Sequence, residues 1–138
     1  MSSNNSNIKE ELTNLVNEGK LLYKHLYDKK YDDGVFIPSY QNWYTKTLSI
    51  VKIFLPERLD EFISLHKDDK RKELDYLTYT ISDFLLGLVV KKAGTPVFNT
   101  KESAGRKFFQ QICIVESVLS KIDSLICNIK SILEADLF

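Results

Sequence analysis

His25, His66, Cys113 and Cys127 are the side chains of this sequence best suited to metal ligation or to nucleophilic and acid–base chemistry near neutral pH. Their spacing organises none of it. There is no C-x-x-C and no H-E-x-x-H, and the five glycines form no phosphate-cradling loop ahead of a helix. No metal or other cofactor is therefore expected. The two cysteines stand fourteen residues apart in what reads below as one helix. About 21 Å of helix separates them, too far for a disulfide. They are expected on or beside the apolar face, as small buried hydrophobes. Two free thiols fit a reducing compartment, the cytoplasm.

The remaining polar residues read first as structure. Asp32, Asp33, Asp68, Asp69, Glu73 and Asp75 cluster along loops, where carboxylates are ordinarily solvated. Lys67, Lys70, Arg71 and Lys72 could grip a phosphate in a small-ligand sensor, but such a run is ordinarily a solvated face. Asp83 sits between Ile81 and Phe84 and reads as a polar-face residue or a buried partner of Arg58 or Tyr79. Tyr40, Trp43, Tyr44, Tyr76 and Tyr79 could anchor an interface, but in a small bundle they are expected mainly in the core.

Composition narrows the class further. Nineteen basic residues balance nineteen acidic ones, which argues against a nucleic-acid partner, because phosphate neutralisation calls for a basic excess. A hydrophobic content of 43% supports a packed core in a chain of one-domain length, 138 residues. The opening MSSNNSN has neither a basic nor an apolar run and reads as a disordered tail, residues 1–7, without a signal peptide. The longest apolar stretch, Phe84 to Val90, is far too short to span a membrane.

The elements that would position these side chains are helices. Asn7 and Glu10 suggest a cap for a helix over about Ile8–Lys29, with a seam at Ile8, Leu12, Leu15, Leu22 and Leu26, and Gly19 in the missing slot. The Asp32-Asp33-Gly34 turn is expected to stop it. Val35, Phe36 and Ile37 would plug one end of a bundle. A second helix is expected over Ser39–Phe54, with Tyr40, Trp43 or Tyr44, Thr47 or Leu48, Val51, and Phe54 or Leu55 inward. A third would start at Pro56 and reach His66, burying Leu59, Phe62 and Ile63. A fourth would carry Leu74 to Leu88 and stop near Lys91-Lys92, ahead of Gly94 and Pro96. The last helix is the clearest. Phe108, Ile112, Val115, Leu119, Ile122, Ile126, Ile129 and Leu133 alternate steps of four and three, flanked by Val118, Leu125 and Ile132. The expected fold is therefore all-α, an up-and-down bundle of about five helices over residues 8–138, with a long heptad-patterned C-terminal helix. Helix 1 is too short to cover that helix, so part of the seam needs another partner. The terminal Ala135-Asp136-Leu137-Phe138 is apolar without a cap, which suggests a first domain of a longer protein or a tail that docks on a partner.

The blocks Tyr40-Gln41-Asn42-Trp43-Tyr44-Thr45, Leu55-Pro56-Glu57-Arg58-Leu59, Tyr79-Thr80-Ile81-Ser82-Asp83-Phe84-Leu85 and Ala135-Asp136-Leu137-Phe138, with Phe62 and Arg71-Lys72-Glu73 between them, span most of residues 40–138. This chain resembles, through them, the N-terminal halves of a group of uncharacterised bacterial proteins that carry a C-terminal HEPN-like (higher eukaryotes and prokaryotes nucleotide-binding) domain. The resemblance implies an accessory domain for sensing or oligomerisation in a prokaryotic defence or toxin system. HEPN ribonucleases use an arginine and a histidine about four to six residues apart. The nearest pair here, Arg58 and His66, has seven residues between, and no histidine follows Arg71 or Arg106. The expectation is thus a non-catalytic protein–protein interaction or oligomerisation module, with contact residues Leu125, Ile129, Ile132, Leu133, Leu137 and Phe138. Its partner would be a second copy, a C-terminal domain or a neighbouring gene product. The alternative is a HEPN-type ribonuclease or RNA-binding domain acting through Arg58 and His66.

Overall fold

The computed structural model describes the backbone of residues 2–137 and the side chains of residues 7–135. Among the described residues the chain forms an all-α bundle of five helices with a long C-terminal helix, as the sequence predicts. Helix α1 (Ser2–Leu26) and helix α5 (Thr100–Leu137) lie antiparallel. Lys9 pairs with Asp123 at 2.8 Å and Lys20 with Glu116 at 3.5 Å, so positions rising along one helix meet positions falling along the other. Leu12, Leu15, Val16 and Leu26 on α1, and Phe108, Ile112, Val115 and Ile122 on α5, are buried in the core. Ile8, the expected start of the seam, is 39% exposed. The helix also begins at Ser2 rather than Ile8, so the backbone expected as a disordered tail is helical. Ser2 to Asn7 holds no glycine or proline, and a helix already nucleated can extend through it.

Gly19 has a packing reason. A β-carbon there would lie 3.0 Å from Trp43 Cζ2 and 3.1 Å from Ile112 Cγ1. The glycine lets the fully buried Trp43 press against the α1 backbone, where its indole N–H donates to the Leu15 carbonyl at 2.8 Å.

Helix α2 spans Asp33–Phe54. Its start differs from the expectation, because Asp32 caps a helix rather than closing a loop. The Asp32 carboxylate accepts from the Gly34 N–H at 2.8 Å, and its carbonyl accepts from the Phe36 N–H at 2.9 Å. Pro38 therefore falls inside the second turn and removes one backbone hydrogen bond there. Phe36 still plugs the bundle, edge-on to Phe84 and Phe108. The predicted inward stripe is observed at Tyr40, Trp43, Thr47 and Val51. A single turn, Pro56–Arg58, leads into α3 (Leu59–His66), which buries Phe62 and Leu65 and leaves Ile63 more than a third exposed.

The expected fourth helix is mostly absent. Only Ile81–Leu85 is helical, here α4. Upstream, the Asp75 carboxylate accepts from the Leu77 and Thr78 N–H groups at 2.9 and 3.0 Å, which ties the backbone into a turn. Thr80 is extended and forms a reciprocal cap with Asp83. Both devices compete with helix for the same backbone groups, and residues 74–80 follow them instead of their apolar spacing. Downstream, Lys91–Lys92 and Thr95–Pro96 pair as strands β1 and β2 of a hairpin rather than ending a helix. Its two-residue turn, Ala93-Gly94, has positive φ at both positions, 53° and 82°, the geometry that matches strand twist.

Candidate interaction surface on the C-terminal helix

The 38 residues of α5 extend over about 57 Å. Its first two-thirds are enclosed on two sides. Phe108, Ile112, Val115 and Ile122 belong to the seam facing α1. A second buried line, Gln111, Ile114 and Val118, steps by three and four and fills the space against α2 and α3. This line was only partly legible, because Val118 is its one residue that the heptad flank marks.

That second line ends where α2 ends. The Lys121 ammonium donates to the Phe54 carbonyl at 2.8 Å and reaches Glu57 at 3.3 Å, closing the C-terminus of α2 with a cation. Ile8, Phe54, Ile122, Leu125 and Ile126 then outline a shallow apolar depression at the rim of the bundle. Beyond Ile126 every described side chain of α5 is exposed. Leu125, Ile129, Ile132 and Leu133 are 46%, 56%, 61% and 58% exposed and share one face by their steps of four, three and one. The structure thus brings these four predicted contact residues together as one uncovered stripe. The predicted Leu137 and Phe138 side chains lie outside the described residues.

Arg58 and His66 are not brought together. The Arg58 guanidinium donates to both carboxylate oxygens of Glu61 at 3.1 Å. His66 lies at the other end of α3, about 12 Å further along the axis. Its ring stacks on Tyr44 with centroids 4.1 Å apart, and its Nδ1 lies 3.3 Å from the Tyr40 hydroxyl. Tyr40 in turn donates to Gln111 Oε1 at 2.8 Å, and Gln111 Nε2 donates to the Phe62 carbonyl at 3.2 Å. This buried chain ties α2, α3 and α5 together. Burial, helped by the Lys67 charge, holds the His66 imidazole below its ordinary pKa. Burial pushes the Tyr40 phenol well above its own.

Asp83 pairs with Arg71, not with Arg58 or Tyr79. The Arg71 guanidinium forks onto both Asp83 oxygens, one at 3.0 Å, and donates to the Thr78 carbonyl at 3.1 Å. Asp83 also accepts from the Thr80 N–H and hydroxyl at 2.8 and 2.9 Å. Arg71 is therefore unavailable to the phosphate-gripping run Lys67 to Lys72, in which Lys67 faces Asp69 at 4.0 Å. The cysteines also correct an expectation, since Cys113 and Cys127 are both exposed. Among the described residues no cluster of histidine, cysteine, aspartate and glutamate could hold a metal, and no helix is long and apolar enough to cross a membrane.

No family model, no curated protein and no solved structure matches this chain.

Proposed function

We propose that this chain is a non-catalytic helical interaction module that associates with a second copy of itself through the uncovered end of α5. The observation that carries this reading is the stripe Leu125, Ile129, Ile132 and Leu133, four large apolar side chains each about half exposed or more on one helix face. Isolated apolar residues on a surface are ordinary, whereas a contiguous stripe marks a contact site. The helix itself points the same way. Beyond Ile126 the helix continues with every described side chain exposed, and a partner packed on its apolar face would bury that stripe.

A two-fold pairing sets the same stripe against itself, and a formal charge of zero opposes no approach between copies. Taking each of these half-exposed side chains to full burial contributes roughly 1 kcal/mol. Eight of them across two copies give about 8 kcal/mol, against at least about 4 kcal/mol of lost translational and rotational freedom. The association is therefore weak and reversible, with a Kd near the millimolar range. The resemblance of residues 40–138 to the N-terminal halves of HEPN-linked bacterial proteins supports, within the same proposal, a cytoplasmic role in a prokaryotic defence or toxin system. A dimerising domain there would bring two effector domains together.

The test is the molar mass by light scattering at protein concentrations rising to about 1 mM, the range set by that affinity. Mass rising toward a dimer, and falling back in Ile129→Asp, is the expected result. A strict monomer at every concentration would overturn the reading.

A further inference from the structure

The segment joining α4 to α5 presents a second unpaired surface, independent of the first. Val97 N–H donates to the Val90 carbonyl at 2.9 Å, and Lys92 faces Thr95 across the two-residue turn. In an antiparallel pair the hydrogen-bonded residues alternate with residues whose backbone groups point outward. Val90 and Lys92 therefore face β2, whereas the N–H and carbonyl of Val89 and Lys91 point away from it. On β2 the equivalent outward residue is Pro96, opposite Lys91. Proline has no N–H to offer, so the edge of β2 is closed and that of β1 is open.

The open edge is also exposed through its side chains. Leu88, Val89, Lys91 and Lys92 all face solvent, and Leu86 beside them is 81% exposed. The edge is held firmly from behind. The Tyr79 hydroxyl donates to the Leu88 carbonyl at 2.5 Å, and Phe98 packs edge-on against Tyr76 and Tyr79. Among the described residues neither Lys91 nor Lys92 has a carboxylate within ion-pair distance.

We propose that the outer edge of β1, from Leu88 to Lys92, accepts an extended acidic peptide of a partner protein as a third strand. The peptide backbone pairs with the outward groups of Val89 and Lys91, its carboxylates meet Lys91 and Lys92, and an apolar side chain covers Val89. Edge lysines ordinarily discourage strand addition. Here that repulsion selects the occupant. A second copy of this edge would set lysines against lysines, whereas an acidic strand is attracted.

The experiment uses the full chain, labelled with nitrogen-15 and titrated with an end-capped hexapeptide of alternating valine and glutamate. Amide shifts and slowed hydrogen exchange centred on Val89 and Lys91 are expected, with no response to the peptide that has lysine in place of glutamate. Lys91→Pro removes an outward N–H without touching the β1–β2 ladder and is expected to weaken binding by about tenfold or more. Charge reversal by Lys91→Glu with Lys92→Glu, both at exposed positions, should switch the preference to the lysine peptide. Three results would overturn the proposal: no perturbation at Val89 and Lys91, equal response to both peptides, or co-sedimentation with phosphatidylserine-containing vesicles in place of peptide binding. The last would assign the face to a membrane surface.

Discussion

Arg71 and Asp83 are joined twelve residues apart in sequence, and the pair shows how a single contact can organise a loop. Asp83 is nearly buried, with a side chain 9% exposed, and Arg71 retains 23%. Burial alone would raise the Asp83 pKa, but the Arg71 fork and the Thr80 donors outweigh it and hold the carboxyl below its ordinary 3.8. A carboxylate with a depressed folded pKa stabilises the native state above its unfolded value, and that contribution is lost as pH falls through the folded value. Arg71→Ala is expected to cost about 2 kcal/mol at neutral pH, between a surface pair and a fully buried one. The difference from the parent should shrink below about pH 4, where unfolded aspartate takes up its proton. Urea denaturation across pH 3 to 7, a range bracketing that value, checks both parts. A cost that stays constant with pH would assign the effect of Arg71 to packing rather than charge.

Elements form here where local chemistry and apolar spacing agree, and fail where they conflict. The seam of α5 predicted its helix because nothing local opposed it. Residues 74–80 carry helical spacing too, yet the Asp75 turn and the Thr80–Asp83 cap claim the backbone first. In α1 the conflict is resolved the other way. Gly19 weakens the helix by about 1 kcal/mol relative to alanine, but Trp43 and Ile112 occupy the space a β-carbon needs. Crowding of this kind costs about 1–3 kcal/mol, so Gly19→Ala is expected to lower stability by about 1 kcal/mol despite its better helix propensity. A stabilised Gly19→Ala protein, read from the urea midpoint, would mean that Trp43 can withdraw without loss.

At the scale of the molecule, stability is distributed unevenly along α5. Its N-terminal two-thirds share the core with α1, α2 and α3, whereas the remainder leaves its apolar stripe in water. Amide exchange should follow this division. In dilute protein the amides from Asn128 to Ala135 are expected to exchange orders of magnitude faster than those from Ile112 to Val118. Raising the concentration should slow the first group and leave the second unchanged, because only the exposed segment gains a partner. Uniform protection along α5 in dilute monomer would remove the argument that this segment needs one.

Periodicity and local signals determined the all-α class, the inward stripe of α2, the break at Pro56, the long last helix and its apolar residues Leu125, Ile129, Ile132 and Leu133. Each is written in side chains close together in the chain, where steps of three and four leave no competing solution. Where α2 begins and how little of the fourth helix forms depended on backbone hydrogen bonds to Asp32, Asp75 and Thr80, which apolar spacing does not register. The tertiary structure alone decided the rest. It paired Arg71 with Asp83, threaded Gln111 between Tyr40 and Phe62, turned both cysteines outward and ended α2 at Phe54. Those outcomes depend on which faces meet across many residues of sequence. The same Ile and Leu pattern is core at Ile112, in the seam facing α1, and exposed at Ile129, beyond the end of α2.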